Sequence, residues 1–108
     1  MPQYIISFPG AAMQLSPEDF KQAGIDANAV VEELKEAGVL IAAGGIVEDA
    51  EPVMVSADGT VTSETYPQTK EFNGGVTIVD VASLDDAVRW AAKIATACRC
   101  SQEVRELF

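Results

Sequence analysis

Apolar and polar residues alternate from Gln3 to Phe8, with Tyr4, Ile6 and Phe8 on one side and Ile5 and Ser7 on the other, until Pro9-Gly10 breaks the run. A period of two marks a strand that ends in a turn. From Ser16 the period lengthens: Phe20, Ala27, Val30, Val31, Leu34 and Ala37 fall on one helical stripe, and Glu32, Glu33, Lys35 and Glu36 line the opposite side. Ser16 is placed to cap free amides, Pro17 suits a first helical position, and Glu18 and Asp19 face the positive end of the helix dipole. Gly38 supplies the stop. A helix is therefore expected over Pro17 to Ala37. Gly24 inside it costs about 1 kcal/mol relative to alanine, and Asp26 is a second cap at which the helix would kink or split.

Val39 to Ala43 is a short continuous apolar run, as in a strand covered on both faces, and Gly44-Gly45 is expected to end or bulge it. Val53 to Ala57 and Thr60 to Ser63 flank Asp58-Gly59, a strong short-range hairpin signal. Gly74 to Val81 reads as a further strand rich in β-branched residues. Ser83-Leu84-Asp85-Asp86 opens a second helix, with Leu84, Ala87, Val88, Ala91, Ile94 and Ala95 on its buried face and Trp90 at the edge of that stripe. Glu103 to Leu107 alternates again, as a last strand. The order is strand, helix, strand, hairpin, strand, helix, strand. That order predicts an α+β, ferredoxin-like sandwich with an inserted β-hairpin, in which helices cover one sheet face and a second copy of the chain meets the other.

At 108 residues the chain fits a single domain over its whole length. A hydrophobic fraction of 48% beside a net charge of −10 is high for so small a chain, which again suggests apolar surface buried against a partner. The negative charge argues against nucleic acid as a partner, because phosphate backbones are repelled. No apolar run approaches a membrane span and Met1-Pro2-Gln3-Tyr4 lacks a charged n-region, so a cytoplasmic location with no membrane contact is expected. Cys98 and Cys100 lie one residue apart and cannot staple distant parts of a fold.

Histidine is absent. Its absence removes Ser-His-Asp and Cys-His nucleophile systems, histidine general bases, His-Glu-x-x-His zinc sites and histidine-ligated haem. The two cysteines lack a second cluster that would complete a tetrahedral metal site, and no cofactor or metal is expected. Gly44-Gly45 and Gly74-Gly75 carry no following Lys-Ser/Thr and open no helix, so they read as bulges or strand starts rather than phosphate loops. Glu48, Asp49 and Glu51 lack the spacing of a calcium loop. Lys70 and Glu71, with Tyr66 nearby, form the one tight group of acid, base and hydrogen-bond donor beside an apolar strand. The competing reading makes them an exposed ion pair and a packed tyrosine. Asp80 is either a buried acid in an apolar strand or the mark of that strand's solvent end, and Trp90 and Phe72 either line a pocket or, as the favoured reading, are core aromatics.

The run Thr62-Ser63-Glu64-Thr65-Tyr66-Pro67-Gln68-Thr69-Lys70-Glu71-Phe72-Asn73-Gly74-Gly75 resembles the YCII-related family in its DGPF-domain branch. Ser16-Pro17-Glu18, Glu32-Glu33-Leu34, Asp58-Gly59, Leu84-Asp85-Asp86-Ala87 and Glu103-Val104-Arg105 extend the likeness over nearly the whole chain. Where that branch carries Asp-Gly-Pro-Phe, this chain has Ser63-Glu64-Thr65-Tyr66. The resemblance implies a dimeric α+β barrel, in which the open sheet faces of a homodimer meet. Some relatives carry a His-Asp pair, which this chain cannot supply, so no catalytic residue carries over. The expected function is binding of a small molecule in a cleft bordered by Tyr66, Lys70 and Glu71. The alternatives are a cofactor-independent enzyme of isomerase or oxygenase type acting on a small organic acid, with Glu71 or Asp80 as base and Lys70 holding an anion, and a regulatory dimer with a protein partner.

Overall fold

The computed structural model describes residues 1–108. Strand β1 (Gln3–Phe8) leads through a 3-10 turn (Gly10–Ala12) into α1 (Pro17–Glu36), which is followed by β2 (Leu40–Gly45), a hairpin of β3 (Met54–Val55) and β4 (Val61–Thr62), a second 3-10 turn (Pro67–Thr69), β5 (Gly75–Asp80), α2 (Leu84–Cys98) and β6 (Glu103–Leu107). The four long strands form one antiparallel sheet in the order β2-β5-β1-β6. This is the ferredoxin-like α+β arrangement predicted from the order of elements. The molecule measures 41 × 37 × 20 Å, and its thin axis accommodates one sheet and one layer of helices.

Period-two alternation in β1 and β5 decides which side chains meet those helices. Tyr4 opposes Val79 and Ile6 opposes Thr77 across the central pair, and all four are buried. They pack with Val30 and Leu34 of α1 and with Ala87, Ala91, Ile94 and Ala97 of α2, where the alanines let the second helix lie close to the sheet. Ile6, Leu34 and Val79, each under 2% exposed, anchor the core. The opposite face carries Ile5 against Ile78, with Ala42 beyond it, and no helix of the chain covers these residues.

Both helix starts are built as expected. Ser16 Oγ accepts the Asp19 amide at 3.1 Å, and Ser83 Oγ accepts the Asp86 amide at 3.3 Å. The first helix runs undivided through Gly24 and Asp26, because Asp26 is held on the helix surface by the Gln22 amide and the Arg99 guanidinium instead of capping a new start. The glycine pair closes β2 without bulging it: Gly44 and Gly45 stay in register with Val76 and Gly75, Gly45 is the last residue of the strand, and the irregularity falls earlier, between Leu40 and Ala42. Several residues expected in the core lie outside it. Phe20, Leu84 and Val88 are exposed, because the thin single layer of helices leaves their sides of α1 and α2 facing solvent.

The hairpin exists but is short, and it pairs only with itself. Its turn is longer than the two-residue link expected. The Gly59 amide donates to the Ser56 carbonyl and the Ser56 amide to the Thr60 carbonyl, each at 2.9 Å, so Ala57, Asp58 and Gly59 form a three-residue loop. Gly59 takes φ +90°, the conformation that places glycine at the end of such loops. The Asp58 carboxylate accepts the Thr60 amide at 2.9 Å, which holds its carboxyl below the usual range.

Candidate functional site

The segment leading from the hairpin into β5 is folded against the segment leading out of β2. Its closing point is glycine-dependent. A Cβ on Gly74 would overlap the Phe8 carbonyl oxygen, and one on Gly75 would enter the Phe8 ring. The pair therefore serves close backbone approach at the start of β5. The Ile46 amide donates to the Gly74 carbonyl at 2.7 Å, and the Gly10 amide donates to Asn73 Oδ1 at 2.9 Å. These bonds fix the walls of a cleft of about 700 Å³.

One wall comes from the stretch after β2, with Ile46, Val47, Glu48 and Glu51; the other carries Glu64, Tyr66, Thr69, Lys70, Phe72 and Asn73. Tyr66 and Lys70 thus border the same cavity, whereas Glu71 is not part of its lining. Lys70 and Glu71 form no ion pair. Five of the seven basic side chains are engaged by carboxylates, at Glu32, Asp86, Glu33, Asp26 and Glu103, and the two left without one are Lys21 and Lys70. The Lys70 ammonium is free to face a ligand.

Phe72, expected in the core, is half exposed at 51% and lines this cleft with Tyr66. Pro67 starts the 3-10 turn that carries Tyr66 and Lys70 at its two ends, so the backbone turns both side chains out of the chain's path. The pattern of apolar residues gave no sign of this, because the segment lacks both the period of a helix and that of a strand. Glu48, Glu51 and Glu64 share the lining with the single Lys70 ammonium, and none of them pairs with it. The field in the cleft is therefore negative on balance and favours a ligand with a cationic or hydrogen-bond-donating part.

Asp80 lies apart from this cleft, at the far end of β5. Its Oδ1 is buried, receives no hydrogen bond and stands 3.7 Å from the Met1 amino nitrogen. No three Cys, Asp or Glu side chains gather in an arrangement that holds a metal ion, and both cysteines are free thiols.

A four-stranded antiparallel sheet with two helices on one face, an excluded hairpin and a loop cleft at one end define a small ferredoxin-like α+β domain. The YCII-related domain model matches residues 12–108, and the chain belongs to that family. No curated protein matches it. No helix is long and apolar enough to cross a membrane.

Proposed function

We propose that the chain binds a small molecule in the cleft bordered by Tyr66 and Lys70, and that it does so as a homodimer joined through its helix-free sheet face in the manner of a dimeric α+β barrel. The observation that carries the reading is the free Lys70 ammonium in a 700 Å³ cleft beside two exposed aromatics, Tyr66 and Phe72. A cavity of that size lies in the range of ligand sites, which combine apolar walls with a few convergent polar groups. The uncovered Ile5, Val76 and Ile78 support the dimer, since an apolar sheet face is stable when another layer covers it. With three carboxylates and one lysine in the cleft lining, the ligand class is a zwitterion or an amine-bearing molecule with an acceptor for the lysine, rather than a simple anion. Glu71 stands next to the cleft as a second-rank contributor.

Native mass spectrometry on protein purified without denaturation tests both parts. Twice 11.4 kDa with added mass lost on denaturation is the expected result. Lys70→Ala is expected to lose the added mass while keeping the dimer. A monomer overturns the shared sheet face, and a ligand retained equally by Lys70→Ala and Tyr66→Ala overturns the site.

A further inference from the structure

The region under α1 holds a second cavity, of about 350 Å³, which shares no residue with the loop cleft. It opens where small residues face one another across the helix and sheet layers. Ala23, Gly24 and Ala27 of α1 look onto Ala43 and Gly45 of β2 and Gly75 of β5. Ala43 pairs with Thr77 and Gly45 with Gly75, so all four point to the helix side of the sheet. Larger side chains would close the gap, and their absence leaves it open, with Phe8, Ile94 and the exposed Phe20 as its apolar walls.

No charged side chain lines this cavity, in a protein that carries 24 charged residues and a net charge of −10. Thr77 is a polar residue set into its floor. It is only 8% exposed, and its hydroxyl takes part in none of the molecule's side-chain hydrogen bonds. The one side-chain polar atom that is buried without a partner is Asp80 Oδ1, so the Thr77 hydroxyl is not sealed off and stays open to hydrogen-bond a ligand in otherwise apolar surroundings. Cys98, the nearest ionisable group, lies in the same wall with its thiol pushed up by burial, so the wall is neutral at physiological pH.

We propose that this cavity is a binding site for an uncharged, largely apolar or aromatic small molecule that carries one hydroxyl or carbonyl group, with Thr77 as its polar anchor and the Ala43–Ala27 gap as the slot for its ring. The cavity selects against carboxylates, because an ion entering it would lose its hydration and find no counter-charge. The site is independent of the loop cleft. Ligands of the two sites differ in charge, so failure of either leaves the other standing.

The probes are 2-naphthol, 2-naphthoate and naphthalene, followed by methyl-resolved NMR titration of the full chain. The expected result is saturable binding of 2-naphthol that shifts the methyl signals of Ala27, Ala43, Thr77 and Ile94, with no such shifts from 2-naphthoate. Ala43→Leu, which places bulk into the slot, is expected to abolish binding. Thr77→Val keeps the side-chain shape and is expected to weaken 2-naphthol about tenfold, the worth of one hydrogen bond, while leaving naphthalene unchanged. Thermal melts check that both variants fold. The proposal is overturned if 2-naphthol does not saturate, if 2-naphthoate binds equally well, or if Ala43→Leu and Thr77→Val both bind like the parent. Should Ala43→Leu fail to fold, the Thr77→Val comparison of naphthol with naphthalene decides alone.

Discussion

The Gly10 amide donates to Asn73 Oδ1 at 2.9 Å, across 63 positions of sequence, and ties the turn after β1 to the loop that enters β5. The bond sits directly beside the contact between Gly74 and the Phe8 carbonyl, so one short side chain and one missing side chain close the same corner. Gly74→Ala is expected to cost several kcal/mol, because its Cβ meets backbone that cannot rotate away. Asn73→Ala removes only one exposed hydrogen bond and is expected to cost about 1 kcal/mol. Urea unfolding of the two variants checks the ranking, and equal midpoints would show that the corner is not rigid.

Leu34 has no exposed surface and lies among Tyr4, Val79 and α2. Leu34→Ala is expected to destabilise the fold by about 2–5 kcal/mol, from lost burial and the cavity left behind. Phe20 sits on the same helix at 58% exposure, so Phe20→Ala is expected to cost less than about 1 kcal/mol, and chemical denaturation of the pair separates core from cavity rim.

The architecture was legible because each element carried its own period and its own punctuation. Ser16-Pro17, Ser83 and the strands around Gly75 announced themselves, and the burial of Val30, Leu34 and Ala91 followed from helical spacing. Phe20, Leu84 and Val88 misled because a helical stripe shows only that one side is apolar, whereas how wide a strip is covered depends on the second layer, which here is one helix pair thick. The loop cleft was half legible. Tyr66 and Lys70 were visible as chemistry, but their meeting with Glu48 and Glu51 depends on the backbone bond from Ile46 to Gly74, which no periodicity encodes.

Asp26 and Arg99 join the two helices at 2.8 Å, and the Gln22 amide donates to the other Asp26 oxygen. The Gln22 bond first and Arg99 second hold the Asp26 carboxyl below its ordinary 3.8, and Asp58 is lowered by the Thr60 amide. A carboxyl lowered by folding stabilises the native state above its unfolded pKa, and that contribution is lost as pH falls through the folded value. The denaturation midpoint is therefore expected to fall as pH is taken below about 4, and less steeply in Asp26→Asn than in the parent. Identical slopes would show that the pair does not bridge the helices in solution.

Cys98 is buried and Cys100 half buried, on either side of Arg99, which takes φ 58° where α2 ends. Burial pushes both thiols up; the negative charge of a Cys100 thiolate raises Cys98 further, the Arg99 charge opposes that rise, and the Gln102 amide lowers Cys100. Reactivity follows the thiolate fraction, so both are expected to react with iodoacetamide more slowly than a free cysteine at neutral pH, with Cys100 ahead of Cys98. The raised values also make the folded state hold its thiol protons longer than the unfolded chain. Stability is then full below the unfolded thiol pKa of about 8.5 and declines as pH rises above it. Intact-mass kinetics of alkylation in buffer and in urea check the order, with Cys98 expected to label only as the chain unfolds. Simultaneous rapid labelling of both in buffer would mean that the end of α2 opens without global unfolding, and that the wall Cys98 gives to the apolar cavity is not a fixed one.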